Sequence, residues 1–235
     1  AYRDHPYRRA LPEAPVCWRA GTTRLLDHRV GEAPGCPVLL VPSLVNRAYI
    51  LDLRPRRSLV RALAARGLAP FLLDWDAPGP EEAGFDRGDY VTRRLEPALE
   101  RVAALCGRRP AVLGYCMGGL LALALAQRRP ELVAGLALLA TPFDFAAGQP
   151  AEIRMLSALA PALDAAVEAA GGLPVDLMQA MFASLDPTLA GRKFESFARL
   201  PAGSARARDF VALEDWANDG VPLAAAVARE CLIGW

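Results

Sequence analysis

A cysteine set between two glycines is the part of this 235-residue chain best suited to chemistry. Gly114-Tyr115-Cys116-Met117-Gly118 places a thiol where a G-x-S-x-G turn carries a serine. The apolar Ala111, Val112 and Leu113 before it read as a buried strand, and Leu120 to Gln127 after it as a helix. Strand, tight turn and helix would leave Cys116 alone at the carboxyl edge of a sheet, with glycines where neighbouring segments must pack close. The first turn of the helix aims backbone N–H groups and the positive end of its dipole at the sulfur, which favours thiolate over thiol. Such a group can take an acyl chain as a thioester. A cysteine is more often a small buried hydrophobe; the glycine bracket and its flanking elements single out Cys116 among five.

The elements around it follow an alternating α/β order. Val38-Leu39-Leu40-Val41, ended by Pro42, suits a strand covered on both faces, and Pro70 to Trp75 gives the next strand before the loop Asp76 to Pro80. Arg57 to Arg66 reads as a helix with Leu59, Val60 and Leu63 inward and Gly67 as its stop. A longer helix is expected from Tyr90 to Cys106, and another buried strand over Val133 to Ala140. Crossovers of this kind predict a parallel sheet whose ligands bind beyond the carboxyl ends of the strands, where Cys116, Asp74 and the loop after Pro42 all fall. Residues 1–148 are therefore expected to form the core. Residues 149–235 are expected to form a helical cap, in pieces broken at Pro161, Gly171-Gly172, Pro174 and Pro187. Such a cap covers a site and excludes water, and Met155, Met178, Met181 and Phe182 are candidates to line its mouth.

Composition narrows the function classes. The chain is 53% hydrophobic with a net charge of +1, and its arginine pairs, among them Arg56-Arg57, Arg93-Arg94 and Arg128-Arg129, are scattered as solvated faces, so no nucleic-acid footprint is expected. No apolar run reaches membrane-spanning length and no secretory signal stands at the start. Five cysteines without a C-x-x-C pair argue for a reducing cytosol and against disulfides or a zinc site.

Four segments together resemble the polyhydroxyalkanoate synthases. They are Val41 to Leu53, Leu73-Asp74-Trp75, Gly114 to Gly119, and Asp215-Trp216-Ala217-Asn218-Asp219-Gly220-Val221-Pro222-Leu223. The resemblance runs from about Leu39 to the end and implies an α/β-hydrolase fold, a mostly parallel sheet flanked by helices under a helical cap. It implies an acyltransferase that polymerises 3-hydroxyacyl-CoA into polyester through a Cys116 thioester in the cytoplasm. Coenzyme A enters only as part of the substrate; no metal or bound cofactor is implied. The backbone N–H of Met117 would be one oxyanion donor, with Val45 or Asn46 the candidates for the second; Asn46 and Asp52 are equally suited to loop hydrogen bonding and helix capping. Asp74 reads as a structural partner at a strand end. The resemblance also suggests a homodimer through the cap, or a synthase partner subunit, and contact with a polymer granule.

One departure matters. The mechanism needs a histidine base oriented by a carboxylate, in the order nucleophile, acid, histidine. The only histidines are His5 and His28, both upstream of Cys116, and His28 reads as a surface residue near the end of an early strand. Asp144 has the position some members of the wider fold use for the acid. By resemblance the acid and base belong to two further strands beyond Trp235, so the sheet is expected to be incomplete on its C-terminal side. Three readings stand: a synthase or its larger part, a related hydrolase or thioesterase that passes the acyl group to water, and a non-catalytic, synthase-like binding protein.

Overall fold

The computed structural model describes residues 2–31, 35–144 and 150–232. In chain order the elements are β1 (Val16–Ala20), β2 (Thr23–Asp27), β3 (Pro37–Val41), β4 (Asp52–Arg54), β5 (Arg57–Ser58), α1 (Leu59–Ala64), β6 (Ala69–Asp74), α2 (Arg87–Tyr90), α3 (Glu96–Cys106), β7 (Ala111–Tyr115), α4 (Gly118–Arg128), β8 (Gly135–Leu139), α5 (Pro150–Ala170), β9 (Gly172–Leu173), α6 (Val175–Leu185), α7 (Leu189–Ala198), α8 (Ala205–Asn218), β10 (Leu223–Ala224) and α9 (Ala225–Leu232). Six strands form one sheet in the order β1-β2-β6-β3-β7-β8. β6, β3, β7 and β8 run parallel, while β2 and β1 add as an antiparallel hairpin. Parallel neighbours cannot be joined by a tight turn, so helices carry the chain between them.

The central strands are apolar throughout because both faces are covered. Leu39, Val41, Phe71 and Leu73 face one core with Leu99, Val102 and Leu121; Val38, Leu40 and Leu72 face the other with Val60, Ala48 and Leu51. This is the two-residue alternation of a pleated strand buried on both sides. Ser58 caps α1, its hydroxyl accepting from the Arg61 N–H. Of the three residues expected to face inward from α1, only Val60 is fully buried; Leu59 and Leu63 are partly so. The long helix before β7 is continuous from Arg87 but passes through a π-helical turn at Val91–Leu95.

Several expectations need correction. The strand over Val133 to Ala140 exists as β8, but it is not buried: all five of its residues are exposed, because among the described residues it is the last strand of the sheet, with no further strand beside it. Pro161 does not break the cap, since α5 runs through it from Pro150 to Ala170. The alanine-rich flanks lose little in forming helix, and Leu163 and Val167 are buried along it, which offsets the missing N–H of proline. The pair Arg93-Arg94 is not wholly solvated. Arg94 is buried, donating from Nη2 (2.6 Å) and Nε (3.2 Å) to the buried Glu82, which also accepts from the Thr22 N–H at the β1–β2 turn. Burial pushes the Glu82 carboxyl up, but Arg94 and the Thr22 N–H outweigh it and hold it below its usual range.

The C-terminal region is not an independent layer. Leu223, Ala224, Val227 and Ala228 belong to the same core as Met117 and Leu121, together with Val167, Leu173 and Met178 of the helical region. Met178 is thus a core residue, whereas Phe182 is exposed. The side chain of Met155 lies outside the described residues.

Candidate active site

The chain turns sharply at Cys116, which sits at φ 53°, in the left-handed region that a residue with a Cβ rarely occupies. Three backbone bonds hold it there: the Cys116 N–H donates to Leu139 O (2.9 Å), the Gly119 N–H to Cys116 O (2.9 Å) and the Leu120 N–H to Met117 O (3.0 Å). β7 thus leads through Cys116 and Met117 directly into α4. The glycines are required by proximity. A Cβ at Gly118 would collide with the carbonyl oxygens of Val41 and Pro42, one at Gly119 with Thr141, and one at Gly114 with Gly119 and Ala122. The same closeness brings the loop after β3 against the start of α4, so the two places expected to supply oxyanion donors are neighbours.

That loop carries Val45 and Asn46. The Val45 N–H donates to Ser43 Oγ over 3.3 Å, and Asn46 forms a single antiparallel bridge with Gly220. Met117 is buried, its sulfur 3.9 Å from the Cys231 sulfur on α9. Burial pushes the Cys231 thiol up to about 11, which keeps it a neutral packing group beside the elbow. Asp74 is a structural partner: its carboxylate takes Arg24 Nη2 at 2.5 Å. Asp52 is buried and bound by Arg61 through Nε (2.7 Å) and Nη2 (3.2 Å). Its carboxyl, pushed up by burial, is held low by Arg61 and Ser58, a structural role. Asp144 is exposed.

Neither histidine can serve Cys116. His5 is buried, with Nε2 against Ala202 O (2.9 Å) and Nδ1 accepting from the Tyr7 N–H, so its ring is fully engaged in joining the N-terminal segment to the cap. His28 is not a simple surface residue. It is half-buried, lines a 330 Å³ cavity with Asp52, Tyr49 and Arg9, and is held below its usual pKa by burial. Its N–H donates to Pro70 O, in the row Pro70, Val38, Ala111 at the amino end of the parallel strands. Cys116 lies five residues further along, about 16 Å at the rise of a strand, and three strands across, from the end of β2 to β7. Among the described residues no cluster of His, Cys, Asp and Glu could hold a metal ion, and no helix is long and apolar enough to cross a membrane.

Sequence reasoning missed the contribution of Asp215 to Val221 to this site. Trp216 Nε1–H donates to Arg47 O (2.8 Å), the Val221 N–H to Val45 O (3.3 Å), and Tyr49 OH to Asp219 (3.2 Å), while Arg47 pairs with Asp76 and Asp219. Only the family likeness of this segment marked it; nothing local announces contacts to residues some 170 positions away.

A strained elbow on a mostly parallel sheet defines the class, and the alpha/beta hydrolase fold model matches residues 37–219. The chain belongs to that family. Within it, its curated relatives are poly(3-hydroxyalkanoate) polymerase subunits, and the chain is a member of their family. The PhaC subunit of Haloferax mediterranei is 32% identical over 92% of this chain and 45% of its own length. That of Allochromatium vinosum is 29% identical over 85% and 56%, and that of Synechocystis 31% over 83% and 53%. The chain thus spans about half the length of the curated relatives it matches. A crystal structure of a carboxylesterase from Nitrososphaera gargenis shares the fold, at 15% identity and TM-score 0.52 over 92% of this chain and 71% of its own.

Proposed function

We propose that this chain is the acyl-accepting part of a polyester synthase, with Cys116 as the nucleophile. The single observation that carries the reading is the left-handed backbone at Cys116, which presents a thiol rather than a hydroxyl at the head of α4 and beside the loop after β3. In the step envisaged, the Cys116 sulfur attacks the carbonyl of a 3-hydroxyacyl-CoA. The carbon–sulfur bond to coenzyme A breaks, coenzyme A leaves with the proton, and the acyl group stays on Cys116 as a thioester. The negative oxygen formed on the way would be met by the Met117 N–H and an N–H of the Val45-Asn46 loop. The hydroxyl of another acyl unit then attacks this thioester: a carbon–oxygen bond forms, the carbon–sulfur bond to Cys116 breaks, the hydroxyl proton goes to the freed sulfur, and the polyester is longer by one ester bond. A cytoplasmic setting, a homodimer and a growing polymer surface belong to the same reading.

Incubation with 3-hydroxybutyryl-CoA, followed by intact mass spectrometry, tests it. The wild type is expected to gain one or more hydroxybutyryl units and Cys116→Ala none. Release of free acid without any chain growth would instead make the protein a thioesterase, and a folded wild type that gains no mass would remove the covalent reading.

A further inference from the structure

The loop after β3 is built so that its amide groups cannot turn freely. In a trans peptide the C=O of one residue and the N–H of the next point in opposite directions, so fixing a carbonyl fixes the following amide. Three carbonyls along this loop each accept an N–H from outside it: Pro42 O from Trp75 Nε1 (3.0 Å), Val45 O from Val221 N (3.3 Å) and Arg47 O from Trp216 Nε1 (2.8 Å). The first donor belongs to the core. The other two come from the last turn of α8, which carries Trp216, and from the segment just after it, which carries Val221; that segment is tied further by the Arg47–Asp219 ion pair and by Tyr49 OH on Asp219. With Val45 O drawn toward Val221, the Asn46 N–H is turned away from the 216–221 segment. On the other side of Val45, its own N–H reaches only Ser43 Oγ, over a long 3.3 Å.

We propose that Trp216 and Val221 are positioning residues for the oxyanion loop, holding its peptide planes ready before an acyl group reaches Cys116. The inference rests on the acyl-transfer reading of Cys116. It makes the end of the helical region part of the catalytic geometry: a shift of α8 moves the indole and with it the Arg47 carbonyl, so acylation depends on how that region is seated. Neither residue touches the reacting atoms. Their effect falls on the rate of acylation and not on capture of substrate, because the donor matters only when negative charge builds on the acyl oxygen.

The test uses the full chain and Trp216→Phe, which keeps a ring but removes the donor, with Asp219→Asn as a second variant should the first fold poorly. Single-turnover acylation by 3-hydroxybutyryl-CoA is followed by intact mass over a range of concentrations, and alkylation of Cys116 by iodoacetamide in parallel. Alkylation displaces iodide without forming an oxyanion, so it reports the thiol alone. Trp216→Phe is expected to lower the saturating acylation rate about tenfold or more, the scale on which small misplacements act. The half-saturating concentration, the alkylation rate and the thermal midpoint should stay close to wild type. Asp219→Asn should lower the same rate by about threefold, consistent with loss of a partly exposed ion pair. Unchanged acylation in both variants overturns the inference, as does a fall matched by alkylation and melting, which would mark a merely structural role. A wild type that is alkylated but never acylated overturns the acyl-transfer reading, and this inference with it.

Discussion

The two margins of the sheet are built on different principles. β1 has the features of a strand meant to end a sheet: its pairing with β2 is broken by a register shift between Val16 and Trp18, Arg19 points outward, and the carbonyl of Cys17 takes Arg101 Nε at 3.3 Å. Irregularity, charge and a satisfied carbonyl each discourage another strand from adding there. β8 has none of these. Gly135-Leu136-Ala137-Leu138-Leu139 is regular, uncharged and paired to β7 over its whole length, yet Leu138 is 46% exposed. The contrast teaches that β8 has the composition of an interior strand and the position of a terminal one.

Four measurements would break or sharpen that contrast. The largest effect is expected at the finished margin, where Glu82 anchors the β1–β2 turn. Arg94→Met leaves this carboxylate buried and unpaired and should cost about 3–5 kcal/mol in urea unfolding; a loss under about 1 kcal/mol would show that the margin is not held by this pair. Next, Leu39→Ala in the doubly covered β3 should cost about 2–5 kcal/mol. The pH dependence follows from Glu82, whose carboxyl is held below its ordinary value of 4.5 in the folded chain. Its contribution is therefore complete above about that pH and is lost as pH falls through the lower folded value. Urea midpoints should drop on acidification into that range, and the drop should be smaller in Arg94→Met. Smallest is Leu138→Ala on β8, expected to change stability by about 0.5 kcal/mol or less. If it costs as much as Leu39→Ala, β8 is covered in solution and the contrast between the margins fails.

Much of this architecture was legible because its signals are local. The run Val38 to Val41 is apolar at every position because both faces are covered, and the glycines around Cys116 announce a turn whose neighbours press to contact. What stayed hidden depends on distance along the chain. Leu136, Leu138 and Leu139 have the composition of buried residues, and no sequence pattern says whether a neighbour lies beside them. Arg94 looks like half of a solvated pair until Glu82 is brought to it from twelve residues away. The loop carrying Val45 and Asn46 was found as a place, but its restraint by Trp216 and Val221 joins residues some 170 apart. Pro161 misled because a rule about one residue was outweighed by its alanine-rich surroundings.

The left-handed backbone at Cys116 also bears on how the protein would change under selection. Glycine accepts that conformation without the strain that any side chain with a Cβ incurs. A library randomised at position 116 and sorted only for resistance to heat should therefore enrich glycine, the residue that discards the thiol. Stability and chemistry pull in opposite directions at this one position, and a cysteine surviving there in a lineage would record selection for what its sulfur does.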